Sequence, residues 1–105
     1  MDEAEFERVA HEEMVALEDA FADVDPDDVE VSVTDGVLRL DLRGGVRIVI
    51  NSHRAARQIW MAAVSTAWHF DPIDGGVWRT PKTGEDLRPT LSRLVREHVG
   101  VALPL

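Results

Sequence analysis

The period of the apolar residues changes twice along this chain, and this change limits the possible folds more than any other feature. Within residues 3–23 the apolar side chains recur every third or fourth position, as on one face of a helix. From Val29 to about residue 80 they alternate with polar ones, as in half-buried strands. Helical spacing returns over residues 85–99. The pattern predicts a helix, a group of strands and a second helix, in that order.

The two predicted helices each carry one apolar stripe. The stripe of the first consists of Phe6, Val9, Ala10, Met14, Leu17 and Phe21, and that of the second of Leu87, Leu91, Leu94, Val95 and His98. Pro26 is expected to end the first helix, because proline cannot continue the hydrogen-bond ladder. Thr83 with Asp86 three residues later suggests a cap for the second. Its Pro89 is tolerable only in the first turn, and His98 is expected to be packed or helix-terminal.

Turn residues divide the middle of the chain into five or six predicted strands. Asp35-Gly36 and Gly44-Gly45 separate the first three. The predicted strands cover residues 29–33, 38–42, 47–51, 58–64, 68–71 and 77–80. The alanines and methionine of 58–64 would also suit a helix. Because the helices and the sheet each have one apolar face, the economical fold is an α+β two-layer sandwich. Residues 1–105 then form a single domain, an antiparallel sheet with both helices on one side.

The charge of the chain is strongly segregated. Of a formal net charge of −9, residues 1–30 contribute thirteen acids and one base, so the remaining residues are mildly basic. Such a field repels nucleic acid and attracts cations or a basic protein surface, although an acidic helix can also be simply a solvated face. No apolar run is long enough to span a membrane, and the acidic start does not resemble a secretory signal. A cytoplasmic protein with no membrane association is expected.

Several familiar chemistries are missing from the sequence. There is no cysteine, which excludes disulfides, thiolate nucleophiles and cysteine ligands for a metal cluster. No serine lies in a Gly-x-Ser-x-Gly elbow, and no glycine-rich loop precedes a helix with the Lys-Ser/Thr pair of a phosphate-binding loop. His11-Glu12 begins like a zinc-protease helix but lacks the second histidine. We therefore expect a binding protein and not an enzyme.

Acidic side chains crowd the end of the first helix, the following turn and the start of the first strand. We call this group the acidic ridge: Glu18, Asp19, Asp23, Asp25, Asp27, Asp28 and Glu30. Carboxylates are hard ligands, and a bound cation relieves the repulsion between them. Their spread along the chain predicts weak, exchangeable binding without identifying the ion. His11, beside Glu12, is either an accessory ligand or a plain surface residue.

Strand alternation assigns residues to the other face of the sheet. If Ile50 points into the core, Asn51 points away from the helices, and the same parity places Gln58 and Trp60 on that side. His69 is placed to face outward with Trp60. An outward tryptophan among amides suits a protein-binding patch, but it would equally suit cross-strand packing. The sequence leaves both interpretations open.

A series of segments resembles the bacterial frataxins in order and spacing. They are Gly36-Val37-Leu38-Arg39-Leu40, Arg47-Ile48-Val49-Ile50-Asn51, Arg57-Gln58-Ile59-Trp60-Met61-Ala62, Trp68-His69-Phe70-Asp71, Trp78 and Thr83-Gly84-Glu85. The similarity runs essentially end to end, and Asn51 followed by Gln58-Ile59-Trp60 is its most specific part. The chain departs from the family pattern at Ala22, Ser32, Ala55, Thr66-Ala67 and Lys82, and by one residue inserted near Gly75-Gly76.

The resemblance implies more than the residues alone. It implies ferrous or ferric iron bound weakly on the acidic ridge, and docking onto a cysteine desulfurase and an iron–sulfur scaffold protein. The docking face would include Asn51, Gln58 and Trp60. The protein would then be an iron-dependent regulator or iron donor of cluster assembly, a monomer or a metal-dependent oligomer. Alternatives are an interaction module with incidental metal binding, an iron-oxidising or storage protein, and a haem binder through His11 or His98.

Overall fold

Two helices lie at the two ends of the structured chain. The computed structural model describes all residues from Met1 to Leu105. Helix α1 spans Glu3–Asp19, and the Asp2 carboxylate caps it by accepting from the Glu5 amide at 2.8 Å. Helix α2 spans Leu87–Val99 and ends at Gly100, whose positive φ of 72° closes the last turn. The start of α1 and the end of α2 therefore follow ordinary capping chemistry.

The six strands form one antiparallel meander. They are β1 (Val29–Thr34), β2 (Val37–Leu42), β3 (Arg47–His53), β4 (Gln58–Ala63), β5 (Thr66–Ile73) and β6 (Val77–Arg79), and each pairs only with its neighbours in sequence. At the first hairpin Asp35 and Gly36 both have positive φ, 52° and 76°, as a tight two-residue turn requires. The ambiguous segment 58–64 is a strand to Ala63, and β5 is longer than predicted.

Both helices cover the same face of the sheet, so the predicted α+β two-layer sandwich is confirmed. Alternate strand residues such as Leu40, Ile48 and Met61 point toward the helices and are fully buried. Phe6 of α1 meets Trp78 of β6 edge to face, with ring centroids 6.0 Å apart. Neither helix is long and apolar enough to cross a membrane.

The end of the first helix was predicted wrongly. Helix α1 stops at Asp19, so Pro26 does not end it. The amides of Phe21 and Ala22 bond to carbonyls three residues back, which tightens the chain into a turn. Because Ala20 and Phe21 remain buried, this tighter turn keeps the apolar stripe against the core while the chain turns toward β1.

Two predictions about the second helix were also wrong. Thr83 does not cap it: its hydroxyl donates to Glu85 at 2.8 Å, and the N-cap position belongs to Asp86, whose carboxylate is held by Arg79. His98 is exposed and does not share the buried face, because Val99 packs against the core at this end. Its place in the last turn of the helix agrees with the helix-terminal alternative.

An ion pair joins the two helices. Glu13 lies on the buried face of α1, in line with Phe6 and Leu17, and its side chain is 4% exposed. Arg88 of α2 donates to both carboxylate oxygens, from Nη2 at 2.7 Å and from Nε at 3.0 Å. This hydrogen bonding raises the pKa of Arg88 against the opposing effect of burial. The ion pair therefore links α1 and α2 at the edge of an otherwise apolar core.

Candidate functional site

The acidic ridge lies where the prediction placed it, at one end of the sandwich. Its residues come from the end of α1, the turn that follows and the first strand. All are exposed except Asp28, which is half-buried and pairs with Arg43 at 3.1 Å. The Asp25 carboxylate accepts from the Asp27 amide at 2.9 Å, which shapes the turn. The other ridge carboxylates form no ion pair within the chain, so they face solvent as bare negative charge.

The ridge does not form a closed metal site. No three histidine, aspartate or glutamate side chains lie close enough together to hold an ion in this structure. An ion on the ridge would therefore take few protein ligands and keep several waters, as hard cations do at open carboxylate sites. This geometry suits exchangeable binding, in which the ion is easily passed on.

The C-terminal segment forms one wall of a hollow beside the ridge. Its volume is about 400 Å³, and its lining combines four ridge carboxylates with an apolar side: Asp19, Asp23, Asp25, Asp28, Ala20, Val24, Val101, Ala102 and Pro104. Sequence reasoning did not anticipate this wall. The sequence feature that indicates this wall is the alternation of Val101, Leu103 and Leu105 with Ala102 and Pro104. In the structure these three side chains are half-buried and their neighbours are exposed.

His11 does not join Glu12. Glu12 pairs with Arg8 at 3.2 Å, and exposed His11 lines a separate hollow of about 220 Å³ that includes Glu7 and Glu18. One ridge residue, Glu18, therefore also lines the hollow beside His11. Glu7, His11 and Glu18 do not come close enough together to hold an ion, so His11 is a surface histidine in this structure.

The helix-free face of the sheet brings together the predicted docking residues. Asn51, Trp60 and His69 lie directly opposite one another on β3, β4 and β5. Asn51, Gln58 and Trp60 are half-buried and point away from the helices, as the strand parity predicted. Asn51 makes only a long contact to the Ser52 carbonyl, 3.4 Å, so its amide is available to a partner.

Trp60 is enclosed on both sides by imidazole rings. His53 stacks on one face of the indole at a centroid distance of 3.9 Å, and His69 stacks on the other at 4.2 Å. The planes differ by only 16° and 12°. We call these three rings the imidazole–indole stack. Stacked aromatic rings of this kind add to the energy of area burial, so the stack is a preformed, flat element of the surface.

Hydrogen bonds also fix the edge of the indole. Trp60 donates from Nε1 to the Gln58 side-chain oxygen at 2.9 Å, and the Gln58 amide donates to Asp71 at 2.9 Å. The polar group of Trp60 is therefore satisfied within the chain. Sequence reasoning missed His53, although its parity with Asn51 on the same strand indicates the same face.

Together, the fold and these two surfaces define a class: a small α+β sandwich with an acidic ridge and an exposed, helix-free sheet face. The model of the frataxin-like domain matches residues 1–101. The chain belongs to the frataxin family.

Known relatives agree with this assignment. The chain is 35% identical to the iron–sulfur cluster assembly protein CyaY of Cupriavidus necator, covering 100% of this chain and 96% of that protein. It is 33% identical to CyaY of Pseudomonas fluorescens, over 95% and 91%.

Solved structures share the fold. Frataxin from Psychromonas ingrahamii superposes with a TM-score of 0.87 at 20% identity, covering 98% of this chain and 96% of that one. Trimeric frataxin from Saccharomyces cerevisiae, in a complex with ferrous iron, superposes with a TM-score of 0.76 at 26% identity, covering 89% and 87%.

Proposed function

We propose that this protein serves iron–sulfur cluster assembly as a non-enzymatic, monomeric iron-binding regulator or iron donor. The observation that carries the proposal is the acidic ridge, in which Asp28 alone is neutralised by an ion pair. The chain belongs to the frataxin family and has relatives named iron–sulfur cluster assembly proteins, which supports a role in cluster assembly. The yeast frataxin complex with ferrous iron supports the choice of iron as the bound ion.

The open ridge suits iron as cargo. Carboxylates are among the protein ligands of iron. Mutual repulsion among carboxylates that lack an ion pair adds to their attraction for a cation. Because few ligands converge, we expect weak, rapidly exchanging binding. An ion bound in this way stays accessible to a second protein, as delivery or sensing requires.

The two surfaces give the protein two ways to dock. The ridge presents negative charge to a basic groove of a cysteine desulfurase, and charge complementarity of this type steers association. The helix-free face, through Asn51, Gln58 and Trp60, contacts the scaffold protein. Because the surfaces lie on different elements, one partner can bind each at the same time.

Charge reversal on the ridge tests this function. The triple variant Asp23→Lys, Asp25→Lys, Glu30→Lys is expected to lose ferrous binding and desulfurase capture, since exposed, unpaired carboxylates are removed without disturbing the core. Binding is followed by anaerobic ferrous titration of the labelled protein in NMR, where paramagnetic broadening should centre on residues 18–30. Desulfurase capture is followed by pull-down.

A matched control has the same change in net charge elsewhere. Glu5→Lys, Asp74→Lys, Glu97→Lys changes three exposed acids outside the ridge and should retain both activities. If the ridge variant binds iron and desulfurase as well as this control does, the ridge is not the site.

The absence of converging ligands favours one second candidate. The chain would then be an interaction module of the same machinery whose iron binding is incidental. Desulfurase binding that is equal with and without ferrous iron would support this candidate. Binding that changes with iron supports the regulator.

A further inference from the structure

The two edges of the sheet are protected to different degrees. At one edge β6 has only three residues, and the chain beyond it forms a further bridge on its free side, between Arg79 and Asp86. At the other edge β1 has six residues, contains no proline and pairs with β2 alone. A long edge strand without such protection presents backbone groups that can pair with another chain.

The first hairpin determines which backbone groups of β1 face outward. In a two-residue hairpin the residues that flank the turn exchange both backbone hydrogen bonds, so Thr34 bonds to β2 and every second residue before it does the same. The Asp28 carbonyl, which accepts from the Arg43 amide at 2.8 Å, is in phase with this pattern. The N–H and C=O groups of Val31 and Val33 therefore point away from the sheet.

The helix-facing side of this edge is apolar and incompletely covered. Val33 is 49% exposed, and with Val15 of α1, 40% exposed, it lines the hollow of about 220 Å³ between the helix and the hairpin. Met14 and Leu38 line the same hollow. Side chains directly opposite each other on paired strands lie on the same face. A residue paired with Val33 would therefore place its side chain at the hollow.

The charges around β1 favour a basic occupant. Glu30 lies in the strand and Glu18 lines the hollow; both are exposed, and neither forms an ion pair. The nearby Arg43 is occupied by Asp28 at 3.1 Å, and Arg39 lies one strand further from the edge. Residues 1–30 contain thirteen acids and one base. A second copy of the chain is therefore repelled at this edge, whereas a basic segment is attracted.

We propose that β1 accepts an extended segment of a partner protein as a seventh strand, in which apolar side chains alternate with basic ones. The outward backbone groups of Val31 and Val33 bond to this segment, and the hollow receives the apolar side chain opposite Val33. Glu30 attracts the basic side chains on the other face of the added strand. Pairing of this type takes affinity from main-chain hydrogen bonds and specificity from the alternate side chains.

This inference goes beyond the proposed function. It concerns the backbone of a sheet edge, which neither iron binding on the acidic ridge nor docking of the helix-free face uses.

The test uses a blocked seven-residue peptide, Lys-Val-Lys-Val-Lys-Val-Lys, and NMR of the labelled full chain. In the free protein the amides of Val31 and Val33 should exchange with solvent much faster than the amide of Ser32, because they have no internal acceptor. The peptide should slow their exchange by about tenfold when about nine-tenths of the protein is bound. It should also shift the signals of β1 and Val15. The same peptide with glutamates in place of the lysines should not bind.

N-methylated peptides separate backbone pairing from the attraction between side chains. Methylating the valine nitrogens removes the donors that face β1, so the affinity should fall by at least about fivefold. The lysine nitrogens face away from β1 when the valines pair with it. Methylating them is the control and should change the affinity by less than about twofold.

Variants of the protein locate the site. Val33→Lys puts a positive charge at the hollow and should weaken peptide binding by about tenfold or more. Val64→Lys, at a 74% exposed valine in the turn between β4 and β5, is the matched control and should bind as the unchanged protein does. Glu30→Gln should weaken binding by about twofold to fivefold, the range for one exposed ion pair.

Three results would overturn the proposal. They are equal binding of the two methylated peptides, peptide-induced shifts on a surface other than β1, and protection of the Val31 and Val33 amides in dilute protein without peptide. Protection that rises with protein concentration in the absence of peptide would assign the edge to a second copy of the chain instead.

Anaerobic ferrous titration separates this inference from the proposed function. Val33→Lys should lose peptide binding and keep ferrous binding. An unchanged protein that binds the peptide but not ferrous iron would contradict only the proposed function. One that binds ferrous iron but not the peptide would contradict only the inference.

Discussion

Replacing Arg88 by methionine should destabilise the protein far more than a surface substitution. The change removes both hydrogen bonds to Glu13 and leaves a carboxylate that is 4% exposed without its partner. Removing one member of a fully buried ion pair costs about 3–5 kcal/mol. Because Arg88 itself is 45% exposed, water can partly replace it. We expect a loss of about 2–3 kcal/mol in the free energy of unfolding.

Urea unfolding followed by tryptophan fluorescence and circular dichroism measures this loss. A domain of this size is stabilised by about 5–15 kcal/mol in total, so the effect is well above error. The melting temperature should fall by about 8–24 °C, because 1 kcal/mol shifts it by about 4–8 °C in domains of 60–100 residues. Arg93→Met is the matched control: its partners Glu85 and Glu97 are solvent-accessible, and its cost should stay below about 1 kcal/mol.

The double variant Glu13→Leu, Arg88→Met distinguishes a missing partner from lost packing. Replacing a buried pair by apolar groups of similar size is often neutral or stabilising, so most of the stability should return. A loss below about 1 kcal/mol in Arg88→Met would refute the reasoning. So would a double variant that is no more stable than the single one.

Three further outcomes are expected. Trp60→Ala should weaken scaffold binding but leave ferrous titration unchanged; equal loss of both, with lowered stability, would favour a packing role. Arg79→Met should lower stability at neutral pH, because Arg79 holds the pKa of Asp86 below its usual value. The stability that the Asp86–Arg79 pair contributes is present above about pH 4 and is lost as the pH falls through that lowered pKa. The urea unfolding curves of the variant and the unchanged protein should therefore converge in acid. Removing residues 101–105 uncovers half-buried valine and leucine side chains and should cost about 2–3 kcal/mol in urea unfolding; an unchanged midpoint would contradict that packing.

Periodicity carries most of the information about the fold. Alternation fixed the strand faces, and with them the outward positions of Asn51, Gln58 and Trp60, because the side-chain period of a strand is two. The end of α1 was less predictable. Its last residues keep their apolar spacing through a tighter turn, so spacing alone does not distinguish helix from turn near Phe21.

The contacts that shape the sites could not be read from local pattern. The imidazole–indole stack depends on the register of three strands and on the rotamers of its rings, none of which a single segment determines. A helical wheel places Glu13 within the apolar stripe of α1 but does not identify the partner that neutralises it. Its burial is compensated by Arg88, which is 75 residues away in the chain.

The order of the strands has a consequence for how the protein is made. Every strand pairs with its neighbour in sequence, so the hairpins can form as the chain leaves the ribosome. The apolar face they create stays half-open, however, because α2 follows all six strands and only then completes the core. Until α2 has been synthesised, the nascent sheet therefore exposes an apolar surface that can bind chaperones or aggregate.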